Sequence, residues 1–198
     1  MQEIMLFPLS SIVLPEGKMK LRIFEPRYKR MIAECSKANS GFGVCLLDNK
    51  STDKRHQLSY LGTWVKIVDF ETLDDGLLGI TVVGIKRFFI EQVRSESDGL
   101  RKAAVRWLTN WPTAPLSEQH LLLSEQLQQI YQQFPQVGQL YSHRFFDDAS
   151  WVAQRWLEIL PLSKTQWEGL VGHDNCHPAL SFLTQKIEIY NDCSGEGR

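Results

Sequence analysis

The segment from Phe7 to Met31 constrains the fold most strongly, because prolines interrupt short apolar runs within it. Pro8 ends the first run and Pro15 ends the second. Proline has no backbone N–H to donate to a sheet, so both prolines should lie at strand ends or edges. From Met19 to Phe24, apolar residues alternate with basic ones. This period of two predicts a strand with one buried face.

A helix should follow this strand directly. Pro26 suits the first helical turn, where a missing N–H costs nothing. We expect Glu25 to accept backbone N–H groups at the helix start, and Arg27 to tie the helix to a neighbouring strand. The alternative is that these two charged side chains contact a ligand. The apolar spacing predicts that one helix face is buried, consisting of Tyr28, Met31, Ile32 and Cys35.

The chain up to about residue 110 contains several more segments of strand length. Asp75-Gly76 predicts a hairpin turn, and Gly84 separates two of the expected strands. Many short strands with glycine turns favour a barrel or a closed sandwich. The expected strands are Phe42–Leu47, Leu58–Phe70, Leu78–Val83, Arg87–Val93 and Ala103–Trp107.

The composition changes at the proline-containing segment 111–115, which we take as a domain boundary. We therefore predict a β-rich domain over residues 1–112 and an α-helical domain over residues 113–198. The expected fold class is α+β, with a β barrel that carries one inserted helix, followed by a small helical bundle.

Four helices are expected beyond the boundary, and their ends are marked by capping signals. Ser117 and Ser150 should cap the first two helices. Ser163 and Gln166 predict a capping box at the third, with Gly172 as the left-handed residue after it. Pro178 should begin the last helix.

Several motifs follow one another along the first half of the chain: F-P-L at residues 7–9, P-x-G at 15–17, L-x-I-F-E-P-R-Y at 21–28, and Gly84 followed by Arg87-Phe88. As an ordered set they resemble the N-terminal, substrate-binding domain of the Lon proteases, which also occurs alone in small bacterial proteins. The resemblance implies a PUA-like pseudobarrel followed by a helical region. It departs from the family at Pro178-Ala179-Leu180, where an Arg-Leu pair is expected. The matching residues, which we interpret as structural, are Pro8, Leu9, Pro15, Phe24, Glu25, Arg27, Tyr28, Gly62, Gly76, Gly84, Arg87 and Phe88.

Catalytic motifs are missing from the sequence. It has no G-x-x-x-x-G-K-[ST] loop, so the phosphate-binding site of the Lon ATPase part is not expected. No G-x-S-x-G elbow surrounds any serine, and no motif supports a Cys/His nucleophile. We therefore expect no enzyme activity and no cofactor.

One segment, residues 173–177, has the residue types of a metal site, because His173, Cys176 and His177 occur together. A structural zinc would need further ligands, with Cys193 as the candidate. The favoured alternative is a polar loop between helices in which Asp174 or Asn175 serves as a cap.

Composition limits the possible partners and the cellular compartment. The net charge of −1 gives no bulk attraction to nucleic acid or anionic membrane. No run of eighteen apolar residues is present, so a membrane-spanning segment is not expected. The start of the chain lacks the pattern of a signal peptide. Four cysteines without paired spacing are typical of reduced thiols in a cytoplasmic protein.

The resemblance implies a non-catalytic module that binds unfolded or exposed apolar polypeptide segments and acts with proteolytic machinery. Four aromatic residues could line a groove between the two domains: Trp107, Trp111, Tyr141 and Phe145. RNA binding by the basic stripe of Lys18, Lys20 and Arg22 is the alternative, because PUA-like folds elsewhere bind RNA. The near-neutral charge argues against it, and lysines on an edge strand also guard against sheet pairing.

Overall fold

The structure is a computed structural model that describes residues 2–48 and 57–195, with side chains up to residue 187. It confirms a mixed α+β fold in which strands precede most of the helices. The strands are β1 (Gln2–Leu9), β2 (Lys18–Ile23), β3 (Phe42–Leu47), β4 (Leu58–Thr72), β5 (Leu78–Ser95) and β6 (Arg101–Trp107). The helices are α1 (Pro26–Lys37), α2 (Leu121–Gln133), α3 (Pro135–Gly138), α4 (Ala149–Ile159), α5 (Lys164–Val171) and α6 (His177–Gly195).

The chain divides into two compact units. Unit 1 comprises Met1–Asn110 together with Ser163–Glu168, and unit 2 comprises Trp111–Leu162 and Gly169–Arg198. The first division falls beside the proline-containing segment that the sequence marks. The sequence does not predict that residues 163–168 belong to unit 1. The division into a β-rich domain over residues 1–112 and an α-helical domain over residues 113–198 stays a prediction.

Unit 1 is built on one sheet of six strands, in the order β2-β5-β4-β3-β1-β6. Strand β6 also pairs with β5, so β5, β4, β3, β1 and β6 form a closed circuit. Strand β1 runs parallel to β3, and every other pair is antiparallel. Among the described strands, β2 alone has a single strand neighbour, the first part of β5.

Helix α1 confirms the helix expected after Pro26. Its buried residues are the four that the apolar spacing predicts: Tyr28, Met31, Ile32 and Cys35. They pack in a cluster with residues of β1 to β5. The role predicted for Glu25 at the helix start is wrong, because its side chain makes no capping hydrogen bond. Its carboxylate instead pairs with Arg27, with 2.6 Å between Oε2 and Nη2.

The two strands expected on either side of Gly84 form one long strand, β5, so their separation is wrong. Gly84 lies opposite the loop that precedes β2, and its N–H donates to the Gly17 carbonyl at 2.8 Å. The close approach explains why glycine is needed here, since a Cβ would lie 2.1 Å from the Leu14 oxygen. The glycine thus allows close backbone packing without ending the strand.

Several predicted helix caps differ in the structure. The side chain of Asp148 caps α4, accepting from the Ser150 N–H, while the Ser150 hydroxyl donates to the Pro112 carbonyl. The Ser117 hydroxyl contacts His120 Nδ1 and caps no backbone group. The sequence does not single out Asp148, because Asp147, Asp148 and Ser150 all have side chains that could cap this helix.

Other predicted turn and cap residues have mixed outcomes. Ser163 and Gln166 confirm the capping box, since each side chain accepts from the other residue's N–H, at 3.1 and 3.2 Å. Among the described glycines, Gly76 and Gly99 have positive φ, so the left-handed conformation predicted for Gly172 is wrong. The hairpin turn at Gly76 is confirmed, with φ of 78°.

Candidate functional site

Unit 1 contains a pocket of about 320 Å³ where the end of β1, strand β2 and the start of α1 meet. We call it the β2 pocket. Its apolar residues are Phe7, Pro8, Leu9, Leu21, Phe24, Tyr28 and Leu47. Its polar residues are Lys20, Arg22, Glu25, Arg27 and Arg101. The volume is at the lower end of the range for ligand pockets, about 300–1,000 Å³.

The apolar residues form a buried wall and an exposed rim. Phe7 and Leu21 belong to the hydrophobic core of unit 1, with 5% and 8% of their surface exposed. Phe24 is 60% exposed, although it follows the alternating strand directly. Large exposed aromatic side chains next to a concave apolar surface are a common feature of binding sites. The β2 pocket therefore offers apolar contact area in a preformed cavity.

Two cations on β2 have carboxylate partners on the neighbouring hairpin. Lys20 Nζ lies 3.1 Å from Glu71 Oε1, and Arg22 pairs with Asp75. All four side chains are more than one third exposed. Exposed pairs of this kind contribute at most about 1 kcal/mol, so an incoming carboxylate can replace either partner at little cost.

Arg27 holds the wall of the pocket in place. Its guanidinium lies 4.8 Å from the centre of the Tyr28 ring and donates to the Gly99 carbonyl at 3.0 Å. Gly99 belongs to the turn between β5 and β6. Arg27 therefore ties the start of α1 to this turn, whereas the sequence predicts a neighbouring strand as its partner. Burial raises the pKa of Tyr28, which keeps its phenol neutral.

Arg101 is the cation of the pocket for which no carboxylate lies within ion-pair distance among the described residues. It is the first residue of β6, opposite Leu6 of β1 and Ser95 of β5. Its surface is only partly exposed. A partly buried guanidinium without an acidic partner is suited to binding a carboxylate from outside the molecule. The sequence contains no signal that singles out Arg101 or Leu47.

Half of the residues in the family motif line the β2 pocket, namely Pro8, Leu9, Phe24, Glu25, Arg27 and Tyr28. The others lie elsewhere in unit 1. Pro15 is buried and bridges to Gly84, and Gly62 packs against the Phe88 ring. Arg87 is buried and donates to the Thr109 carbonyl.

The four aromatic residues of the predicted groove are divided between the units. Trp107 lies at the end of β6 in unit 1, where its indole donates to Gln2 at 3.2 Å. In unit 2, Trp111 and Tyr141 are buried, and the Trp111 indole donates to the His173 carbonyl at 2.8 Å. Phe145 is 48% exposed. A groove formed by these residues stays a prediction.

No group of three potential metal ligands occurs among the residues that the structure describes. In the segment that has the residue types of a metal site, Cys176 is buried and the Asn175 side chain accepts from the His177 N–H at 3.0 Å. Asn175 therefore serves as the cap of α6, which was the favoured alternative. The side chain of Cys193 lies outside the described residues.

The cysteines in the described part of the chain are unsuited to nucleophilic attack. Cys35, Cys45 and Cys176 are free and buried. Burial raises the pKa of the Cys35 thiol to about 11 and that of Cys45 to about 12, so little reactive thiolate is present near neutral pH.

Within the described ranges, none of the helices has the length and apolar character needed to span a membrane.

Comparison with known proteins identifies the class. Residues 3–166 match the model of the ATP-dependent protease La (LON) substrate-binding domain. The chain therefore belongs to this family of substrate-binding domains. Among solved structures, a Lon N-terminal domain protein from Xanthomonas campestris is 32% identical, with a TM-score of 0.72 over 92% of this chain and 97% of that chain.

A second solved structure shares the fold at low sequence identity. It is the N-terminal domain of Lon protease from Mycobacterium avium complex, which is 17% identical with a TM-score of 0.59. The match covers 93% of this chain and 97% of that chain.

Proposed function

We propose that this protein is a polypeptide-binding module that holds exposed apolar segments of unfolded chains in the β2 pocket, without catalysis of its own. The observation that carries the proposal is the position of Phe24, which is 60% exposed beside the pocket's apolar wall. An apolar side chain entering the pocket would contact this ring and remove both surfaces from water.

Membership of the substrate-binding family supports a polypeptide as the ligand. A module of this kind would act as an adaptor for proteolytic machinery in the cytoplasm, and its capture of single segments would be weak unless several sites act together. The proposal includes the finer fold expectations, a PUA-like pseudobarrel in unit 1 and a helical bundle in unit 2. The closed circuit of strands in unit 1 supports the first of these.

The pairing of charges on β2 favours polypeptide over RNA. Two cations of the basic stripe, Lys20 and Arg22, have Glu71 and Asp75 within ion-pair distance. RNA binds through a series of phosphates and would need both cations released from their carboxylate partners at once, whereas the apolar contacts in the pocket do not depend on these charges.

The test uses a permanently unfolded probe, reduced and carboxymethylated lactalbumin with a fluorescent label, and measures binding by polarisation. Phe24→Ala should weaken binding about threefold to tenfold, since exposed aromatic anchors contribute about 1 kcal/mol or more. The matched control is Phe70→Ala, because Phe70 is 53% exposed on β4 and does not line the pocket. Equal affinities of the wild type and Phe24→Ala, or an equal loss in both variants, would contradict the proposal.

A further inference from the structure

The free edge of β2 lies beside the β2 pocket, and this position suggests how a polypeptide would dock. Strand β2 pairs with β5 through the register Lys18↔Val83 to Ile23↔Leu78. On its other side it has no strand neighbour among the described residues. Lys20, Leu21 and Arg22 belong to this strand and also line the pocket. A chain that pairs with β2 would therefore run along the pocket opening.

The backbone groups that face the free edge follow from the hydrogen-bond pattern. Gly84 N–H donates to the Gly17 carbonyl, so the backbone of Gly17 faces β5, one position before the register that begins at Lys18↔Val83. In an antiparallel ladder, the residues whose backbone groups face the neighbouring strand recur at every second position. The N–H and C=O groups of Met19, Leu21 and Ile23 therefore point toward β5. Those of Lys20 and Arg22 point to the free edge, where an extended peptide could pair with them.

The charges around the pocket select the kind of peptide. Arg101 has no carboxylate partner among the described residues, and the partners of Lys20 and Arg22 are exposed and replaceable. Glu25 is the pocket's own carboxylate and is held by Arg27. A ligand with carboxylate side chains would therefore gain ion pairs with cations that flank an apolar cavity, whereas a basic ligand would be repelled.

We infer that the β2 pocket recognises an extended polypeptide segment in which a large apolar residue is flanked by aspartate or glutamate side chains. The segment adds to the free edge of β2, places its apolar side chain against Phe24 and Leu21, and pairs a carboxylate with Arg101. This inference rests on the proposed function and narrows its ligand class. It concerns side-chain carboxylates within a chain and not the carboxylate of a chain terminus.

The experiment compares labelled ten-residue peptides, blocked at both ends, that carry a central leucine flanked by glutamate, glutamine or lysine. The order of affinity should be glutamate, then glutamine, then lysine, with about fivefold or more between the first two. N-methylation of the glutamate peptide's backbone at the residues flanking the leucine should weaken its binding relative to the unmethylated peptide, because it removes donors to the strand edge. A peptide affinity that does not depend on charge would overturn the inference.

Arg101→Gln supplies the test on the protein side. It should remove the preference for glutamate over glutamine, so that the two peptides bind this variant with equal affinity. Arg106→Gln is the matched control, because Arg106 also lies on β6 but has Glu91 as its partner and does not line the pocket. Retention of the glutamate preference in Arg101→Gln would overturn the inference. The peptide series on the wild type decides the question even if this variant fails to fold.

Further outcomes distinguish the alternatives. Binding that requires a free C-terminus of the peptide would show that the cations bind a terminal carboxylate, and this would overturn the inference. Displacement of the peptide by an RNA oligonucleotide at equal concentration would also overturn it. Failure of the proposed function has a different signature, in which Phe24→Ala does not affect binding of the unfolded probe. If Phe24→Ala weakens that binding and peptide charge has no effect, the inference fails while the proposed function stands.

Discussion

The ring centres of Phe7 and Tyr28 lie 4.1 Å apart, and this contact joins strand β1 to the start of helix α1. Both residues line the β2 pocket and are also part of the hydrophobic core. The wall of the pocket is thus formed by side chains that are fixed by packing. Preformed pockets avoid much of the entropy cost of ordering side chains on binding.

Phe7→Ala should lower the free energy of unfolding by about 3–5 kcal/mol, because it removes a buried ring and leaves a cavity. Phe24→Ala should change it by less than about 0.5–1 kcal/mol, since Phe24 is 60% exposed. Urea denaturation monitored by tryptophan fluorescence measures both values. A similar loss in the two variants would show that Phe24 supports the fold rather than serving as a contact surface.

Gly84→Ala should destabilise the protein by about 1–3 kcal/mol or more, because the new methyl group would lie 2.1 Å from the Leu14 oxygen. Gly169→Ala is the matched control. Gly169 lies inside α5 with open space around it, and alanine there should stabilise by about 0.5–1 kcal/mol. Thermal unfolding compares the two, and a neutral effect of Gly84→Ala would contradict the close packing described here.

Glu158→Ala should cost about 3–5 kcal/mol, because it removes a carboxylate that pairs with the fully buried Arg155 guanidinium. In the native protein, Arg155 Nε and Nη2 lie 2.8 and 2.9 Å from the two Glu158 oxygens. Glu3→Ala removes the partner of Arg94 from an exposed pair and should cost less than about 1 kcal/mol. Chemical denaturation of both variants provides the comparison, and equal costs would argue against the burial of Arg155.

Acid should remove the contribution of the ion pairs around Glu96. Lys102 and Arg30 lie 2.7 and 2.5 Å from this carboxylate and lower the pKa of Glu96. A lowered pKa in the folded state stabilises the protein above the unfolded value, about 4.3, and the gain is lost as pH falls through the folded pKa. The stability difference between the wild type and Glu96→Gln should be constant above about pH 6 and shrink below about pH 4. A difference that is unchanged down to pH 3 would contradict this.

Unit 1 could largely be predicted from the sequence because its signals are local. Alternation predicts β2, and the apolar spacing from Tyr28 to Cys35 predicts the buried face of α1. The capping box of Ser163 and Gln166 depends on residues three positions apart, and it is also confirmed. These features depend on residues that are close together in the sequence, so they can be predicted without knowing how distant parts of the chain pack.

The site could not be predicted as a whole, because its parts come from distant points of the chain. The sequence predicts structural roles for the motif residues from Pro8 to Tyr28, yet six of them line the pocket. Arg101 joins them only through its pairing opposite Leu6, which depends on the register of β6 with β1. The capping role predicted for Glu25 is wrong because the Arg27 guanidinium competes with the helix N–H groups for the Glu25 carboxylate.

The most direct test of polypeptide binding at the β2 pocket is an amide NMR titration of the ¹⁵N-labelled protein with the unfolded lactalbumin probe. The account predicts that the shifts are concentrated at Lys20–Arg22, at Phe24 and at Leu9, with saturation at a common affinity. Shifts confined to unit 2, such as the surroundings of Phe145, would contradict it, as would a spectrum that the probe leaves unchanged.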